Sequence, residues 1–374
     1  MATISSYDTQ SGKRYRVRYR TPDHRQTDKR GFRTKREAEA FAATVEVEKL
    51  TGAYIAPKLG LVTVAELGPE WVTRKQATTA ASWGHSIEVA WRTHVLPRWG
   101  STRISDINTL SVESWIADLA AAKSATVVLR AHGILAGILD DAVKSRRLAA
   151  NPSRLVGNLP KKNKKKHVYL QATDVDDLAA AAGPRGTIVY VLAYCGIRWG
   201  ELVALRVSDV EFLRRRLSIH RNAVWVGQEC VVGETKGKES RSVPVPQFVL
   251  DMLSVECRGK GADDLVFPSD AGGYRARPKS GRGWFAQAVK RSGVDATTTP
   301  HSLRHTCASL TVSAGGNVLA LARMLGHKDA SVTLRVYSDL FDSDLDALGI
   351  ALDERYSPRS VGKVWAAGST PPPQ

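Results

Sequence analysis

Residues 299–337 read T-P-H-S-L-R-H-T-C-A-S-L-T-V-S-A-G-G-N-V-L-A-L-A-R-M-L-G-H-K-D-A-S-V-T-L-R-V-Y. Thr299 is placed to cap a helix, and Pro300 suits its first position. His301 and Arg304 then fall three apart, on one face near an amide-rich helix start where an anion is welcome. Gly315-Gly316 ends that helix. A second helix is predicted over 318–325 with Gly326 as its left-handed cap, which puts His327 in the turn beyond. Ser331 is placed to cap a third short helix that carries Tyr337 near its end. Such a set suits phosphate chemistry: donors for the oxygens and a phenol to attack phosphorus. Each residue alone is ordinary, since a helix-end tyrosine usually packs, His-x-x-Arg arises by chance, and Gly-His is often just a turn. The rest of the chain has to supply what the site still lacks.

Upstream, C-G-I-R-W-G-E-L-V-A-L spans 195–205. An apolar run over 188–195 predicts a buried helix ended by Gly196. Arg198 starts the next helix, with Glu201 one turn on, where its carboxylate can hold a guanidinium or a neighbouring imidazole. A surface ion pair on a helix would read the same way. Between the two boxes, the runs R-L-S-I-H, V-W-V, E-C-V-V and R-S-V-P-V predict one small antiparallel sheet. The segment E-T-K-G-K-E-S-R-S-V-P-V-P sets Lys236-Gly237-Lys238 at the tip between its last two strands.

Together these boxes resemble the tyrosine recombinases, the phage integrase family. The family pattern is a first arginine, a hairpin lysine, His-x-x-Arg, a later histidine and a nucleophilic tyrosine, in that order. Arg198, Lys236, His301, Arg304, His327 and Tyr337 fill those positions over roughly residues 165–340. Lys236 is preferred to Lys238 mostly on that resemblance.

The resemblance implies a mainly α chain with small antiparallel β-sheets: a helical core-binding domain and a mixed catalytic domain, preceded here by a small β-sheet-plus-helix module. It implies conservative site-specific recombination through a 3′-phosphotyrosine and a Holliday junction, without metal, cofactor or ATP. Tyr337 would be the nucleophile. Arg198 and Arg304 would bind the non-bridging oxygens, and His301 and His327 would add hydrogen bonds and proton handling. Lys236 would be the general acid and Glu201 an orienting carboxylate. The implied partner is double-stranded DNA, bound by a homotetramer at core-type and arm-type sites. A DNA-bending host factor and an excision directionality factor are possible companions. A temperate-phage or mobile-element integrase fits best. The alternatives are a host recombinase that resolves chromosome dimers, which usually lacks an arm-binding module, and a non-catalytic DNA-binding or architectural protein.

Composition agrees. A formal net charge of +17 and a pI near 9.8 call for a polyanionic partner. The four cysteines lie without C-x-x-C spacing, which suits a reducing bacterial cytoplasm and argues against a zinc ribbon. No apolar run is read as long enough to span a bilayer, and no signal peptide is read at the start. Neither a Walker loop nor a metal constellation is found.

Residues 1–58 read as an arm-type DNA-binding module. R-Y-R-V-R-Y-R over 14–20 alternates with period two, setting Tyr15, Val17 and Tyr19 on one face and Arg14, Arg16, Arg18 and Arg20 on the other. A second strand ends near Phe32. Thr34-Lys35-Arg36-Glu37 is a capping box for a helix with Ala38, Phe41, Ala42 and Val45 inward. A solvated charged face would look similar, but four arginines on one strand repel unless an anion compensates them.

Gly52–Gly60 reads as a linker, and 62–156 as the helical core-binding domain. Thr63 and Glu66 form another possible capping box. Trp71, Trp83, Trp91, Trp99 and Trp115 anchor a core, a break is expected at 94–100, and a helix at 125–142. Residues 157–168 form a lysine-rich joint in which Lys161, Lys162, Lys164, Lys165 and Lys166 are expected on a phosphate backbone. The catalytic domain follows at 169–341. Residues 342–374 are expected to hold an amphipathic helix to about Arg355, with Leu345, Leu348, Ala351 and Leu352 at helical spacing, and a disordered tail.

Overall fold

A computed structural model describes residues 2–22, 24–50, 54–162, 167–234, 240–278, 281–327, 329–337, 350 and 355–356. The backbone divides into two units, 1–164 and 165–374, and the division falls inside the lysine-rich joint.

The first unit opens with β1 (Thr3–Thr9), β2 (Gly12–Arg20) and β3 (Gln26–Phe32), an antiparallel sheet in that order. The alternation in β2 works as read: Val17 and Tyr19 are buried, while Arg18 and Arg20 are exposed. Strand β1 was not expected, because T-I-S-S-Y-D-T has little apolar alternation; it pairs along the free edge of β2. Helix α1 (Lys35–Leu50) packs beneath with Ala38 and Val45 buried. Tyr19 meets Phe41 and Tyr54 edge-on, and its hydroxyl lies 3.2 Å from that of Tyr54. Tyr54, expected in a linker, therefore belongs to this core. On the opposite face the arginines are partly compensated from within. Arg16 Nε donates to Ser5 Oγ at 2.8 Å. Asp28 hydrogen-bonds Arg30 and feels the charges of Arg30, Arg16 and Arg18, which hold its carboxyl below the usual range.

The helical part comprises α2 (Val64–Thr78), α3 (Ala81–Ala90), α4 (Leu96–Trp99), α5 (Thr109–Ala122) and α6 (Ala125–Lys144). The Thr63 capping box is present, with Glu66 Oε2 accepting from the Thr63 amide at 2.6 Å. The break expected at 94–100 is instead a continuous helix. Pro97 cannot donate to the carbonyl four residues back, and residues 91–95 relax into a π-turn in which the Leu96 amide reaches Trp91 O. Trp71, Trp91, Trp99 and Trp115 are buried as expected, but Trp83 is 47% exposed and carries the Arg130 guanidinium over its ring. Gly68 and Gly137 leave room for the Trp91 and Trp71 rings to lie against helix backbone. Asn151 closes the body, donating to Ala136 O at 2.8 Å and Asp140 Oδ1 at 2.6 Å.

The second unit begins with α7 (Ala172–Ala182), α8 (Gly186–Cys195) and α9 (Trp199–Val203). By length and composition Ala172–Cys195 is apolar enough to cross a membrane, contrary to the sequence reading. It is nevertheless divided at Gly183, and α8 packs its Val189, Val191 and Leu192 in the core.

Strands β4 (Val210–Glu211), β5 (Arg216–Ile219), β6 (Arg221–Val226), β7 (Glu229–Glu234) and β8 (Arg241–Pro244) follow. The one expected sheet is two. β8 crosses past the β6–β7 hairpin to pair with β5, giving the order β4-β5-β8. Its inward residues Leu217, Ile219 and Val243 are buried in the common core, which the more exposed β6–β7 ribbon, with Trp225, Val231 and Val232 outward, cannot offer on both faces. Helices α10 (Gln247–Cys257), α11 (Trp284–Ser292), α12 (Pro300–Ser313), α13 (Val318–Leu325) and α14 (Ala330–Tyr337) complete the described fold. Leu345, Leu348, Ala351 and Leu352, like the tail beyond 357, lie outside the described residues.

Candidate active site

Helix α12 starts as its sequence dictates. Thr299 caps it in a box with Ser302, and Pro300 takes the first position. His301 keeps an exposed edge at that start, and Arg304, one turn on, is 3% exposed. Arg304 points across to α8 and α13, where Nη1 donates to Gly196 O at 2.5 Å and Nη2 to Leu325 O. Arg198 caps α9: its amide donates to Glu201 Oε2 at 2.8 Å, its Nη1 to Oε1 at 2.9 Å, and its Nη2 to Gly326 O at 3.4 Å. Arg241, at the start of β8, grips Glu201 with both terminal nitrogens at 2.9 and 2.6 Å and gives Nε to Met324 O at 2.9 Å.

Three guanidiniums thus converge on the successive carbonyls of Met324, Leu325 and Gly326 at the end of α13. Those carbonyls have no partner within the helix and sit at its negative pole, so cations are favoured there. Gly326 takes the left-handed cap, φ +65°, and His327 follows it. His327 Nδ1 meets Thr333 Oγ1 at 2.7 Å, and Thr333 is fully buried on α14. The cap of α14 is Asp329 rather than the expected Ser331: its carboxylate accepts the Ser331 amide at 2.9 Å and the Ser331 hydroxyl at 2.8 Å. The longer reach of an aspartate two residues earlier satisfies the orphan amide that Ser331 itself needs to give.

The pocket's charge is legible in its ionisations. Burial, then the Arg198 charge, pulls the Arg304 pKa down to about 10. Burial alone would push the Glu201 carboxyl up, but the hydrogen bonds and charges of Arg241 and Arg198 outweigh it and hold it below the usual range. Burial and then the charges of Arg304, Arg198 and Arg241 bring His327 down to about 4. His301 is lowered by burial of the inner part of its ring and by the charges of Arg304, Arg277 and Arg198.

Tyr337 is 1% exposed, and its hydroxyl lies 3.1 Å from His305 Nδ1. Burial pushes the phenol up to about 12, against the pull of Arg304. Burial, then His167 and His301, drives His305 down to about 3. The His167 ring sits 4.1 Å from that of His305, and His301 meets His305 edge-on at 4.8 Å.

The structure therefore brings Arg198, Glu201, Arg304 and His327 together around the end of α13, with His301 one turn before Arg304 and Tyr337 on the adjoining α14. Lys236 and its neighbour Lys238 lie outside the described residues. So do Lys164, Lys165 and Lys166; Lys161 and Lys162 are exposed. Arg14, Arg16, Arg18 and Arg20 share the outer face of β2. The described residues hold no His/Cys/Asp/Glu cluster that could take a metal ion. Sequence reasoning missed Arg241, His305, Thr333 and His167. His305 was within reach, since it stands four after His301 on the same helical face. Arg241 stands in the quoted lysine segment, but nothing local ties it to Glu201.

Residues 165–344 match the phage integrase family, and residues 5–49 match an arm DNA-binding domain. This chain carries a phage integrase family catalytic domain behind an arm DNA-binding domain. With that domain it is a tyrosine recombinase. The integrase of Mycobacterium phage D29 is 24% identical over 355 residues, covering 88% of this chain and 91% of that relative. Among solved structures, the Tn1549 transposon integrase in complex with a circular intermediate DNA has a TM-score of 0.65 at 20% identity, covering 76% of this chain and 99% of that one. A lambda integrase tetramer bound to a Holliday junction has a TM-score of 0.60 at 16% identity over 87% of this chain and 96% of its own. At those identities the two structures speak to the fold alone, and both place it as mainly helical with small sheets.

Proposed function

We propose that this chain cuts and rejoins DNA at specific sites through Tyr337 and so integrates and excises mobile-element DNA. The observation that carries this reading is the convergence of Arg198, Arg304 and His327 on one helix end, with the Tyr337 helix next in the chain. In the proposed reaction the scissile phosphate's non-bridging oxygens take the remaining donors of Arg198 and Arg304 and those of His301 and His327. Preorganised donors of this kind supply the largest share of transition-state stabilisation. The Tyr337 oxygen bonds to phosphorus, the bond to the 5′-oxygen breaks, and that oxygen leaves as a hydroxyl with a proton from Lys236. The phenol's own proton has an acceptor at hand in His305 Nδ1, 3.1 Å away. Burial, and then its charged neighbours, make that imidazole a weak base, near 3, and an arriving phosphate anion raises it. Energy of the cut bond stays in the phosphotyrosine link, so rejoining needs no nucleotide.

DNA is the partner, and a tetramer fits the neighbour solved on a Holliday junction. Residues 1–58 are assigned to a second, arm-type DNA site, supported by the arginine face of β2 and the arm-domain match. A host DNA-bending factor and an excision factor belong to the same proposal. The chromosome-dimer-resolving alternative fits less well, because it does not account for that module. A nicked duplex carrying the sequence that flanks the gene tests the reading. Wild type forms an adduct resistant to denaturant; Tyr337→Phe binds the same duplex and forms none. An adduct with Tyr337→Phe would displace Tyr337 as the nucleophile.

A further inference from the structure

Glu201 is 2% exposed, and a carboxylate so placed must be satisfied by cations and donors. Two arginines compete for it, and unequally. Arg241 holds both oxygens, whereas Arg198 shares Oε1 alone through its side chain. A two-pronged guanidinium–carboxylate pair is the stronger of the two arrangements. Exposure separates them the same way: the Arg198 side chain is 37% exposed and that of Arg241 only 12%. Arg198 faces outward, where a phosphate arrives, and Arg241 stays inside.

A second, independent contact ties Arg241 to the catalytic turn. Its Nε donates to Met324 O, and its stem lies against Gly326, where an added Cβ would stand 3.0 Å from Arg241 Cδ and 3.1 Å from Nε. Gly326 directly precedes His327. The same guanidinium thus occupies the buried acid and braces the turn that presents the histidine.

We propose that Arg241 is a positioning residue of the phosphate pocket, taking up the negative charge of Glu201 so that Arg198 keeps its own charge for the phosphate, and bracing the turn before His327. This rests on the recombinase reading of the pocket. Without Arg241, both oxygens of a buried carboxylate turn to Arg198, which is then cancelled by its own neighbour. Lysine cannot replace it fully, because a single ammonium lacks the planar fork that spans both oxygens and Met324 O at once.

The test sets Arg241→Ala against the double variant Arg241→Ala/Glu201→Gln, with full-length protein. Two readouts are used: the single-turnover rate of adduct formation on the nicked duplex, and the affinity for inorganic phosphate. The single variant is expected to lose about 100-fold in rate, the scale of removing one transition-state donor, and to bind phosphate more weakly. The double variant is expected to recover about tenfold of that rate, since a neutral amide no longer cancels Arg198 (tenfold being about 1.4 kcal/mol). A merely structural role also allows recovery when the orphaned acid is neutralised, but it predicts that melting temperature and rate fall and return together while the phosphate affinity of the folded protein stays unchanged. Circular dichroism checks folding; should Arg241→Ala not fold, Arg241→Lys replaces it in both arms and an intermediate loss with the same rescue is expected. An Arg241 variant within threefold of wild type in both readouts, or a double variant worse than the single, overturns the proposal. If wild type cleaves no DNA, the recombinase reading fails instead, and the phosphate titration still decides whether Arg241 frees Arg198.

Discussion

Gly326→Ala puts the arginine-clamped turn under a measured load. Gly326 sits at φ +65°, a conformation that costs an L-residue about 1–2 kcal/mol. The new methyl would stand 3.0–3.2 Å from Cδ, Nε and Cζ of Arg241. Arg241 cannot simply retreat, since Glu201 holds one end and Met324 O the other. Forcing it off its rotamer adds about 0.5–1.5 kcal/mol, for a total of roughly 1.5–3.5 kcal/mol. At about 2–4 °C per kcal/mol for a unit of this size, the melting temperature should fall by roughly 3–14 °C. Gly315→Ala is the matched control: it too ends a helix with φ +74°, yet nothing lies within 4 Å of its Cβ position. It should carry the backbone strain alone, lose about 1–2 kcal/mol, and cleave DNA at the wild-type rate. Gly326→Ala should also cleave roughly 2- to 10-fold more slowly, as 0.5–1.5 kcal/mol of misplacement reaches the barrier. Thermal melts and single-turnover cleavage of both variants give the answer. Equal melting losses and equal rates would show that Arg241 does not brace this turn.

Deleting residues 1–58 should leave core-site cleavage intact and remove protection of a second DNA site; an unchanged footprint would refute the two-site assignment. Binding by that module should weaken steeply between 50 and 200 mM salt, since each phosphate contact releases counterions. His305 and His327 are lowered from an ordinary 6.5 to about 3 and about 4, so the unfolded chain takes up protons first as pH falls. Stability should be complete above about 6.5 and drain as pH drops toward about 4, by at most about 1.4 kcal/mol per pH unit for each histidine. His327→Gln should flatten that slope, and an unaltered melting profile over the same range would contradict it. Lys236→Ala should cleave ordinary DNA about 10²- to 10⁴-fold more slowly and recover on DNA with a bridging 5′-sulfur, which leaves without an acid. Arg304→Ala should not recover on sulfur, and rescue of Lys238→Ala in place of Lys236→Ala would move the acid to the other lysine.

What could be read in advance was whatever is local. Thr299 with Pro300, Gly326 before His327, and the period-two arginines each declare themselves within a few residues, and the structure keeps them. The misses are relations over distance. Nothing in R-S-V-P-V says that β8 skips a hairpin to pair with β5, so a single sheet was expected. Arg241 is 40 residues from the carboxylate it holds, and no periodicity links them. The π-turn at 91–95 was hidden for another reason: proline reads as a break, and only the surrounding helix packing decides that the chain widens instead. Trp83 shows the same limit, since composition marks a tryptophan as a core anchor without telling which face of its helix is covered.

The two cationic regions of the chain look alike in composition and differ in physics. On β2 Arg18 and Arg20 are exposed and Arg14 and Arg16 half-buried, with Asp28 their nearby acid. In the proposed arm-site role their attraction to DNA would be long-ranged, readily screened by salt, and suited to finding a site rather than to chemistry. At the end of α13 the guanidiniums are held before any phosphate arrives, by helix carbonyls and one buried carboxylate. Those partners are dipoles and a shared charge, so they fix the arginines without neutralising them. Burial first, and the neighbouring positive charges after it, hold His327, His305 and Arg304 below their ordinary pKa values. A phosphate entering that field meets donors already in place and raises the pKa of the imidazoles beside it. In the proposed reaction, substrate binding and proton handling are thereby the same electrostatic event, which would let a pocket without an evident strong base activate a phenol near 12.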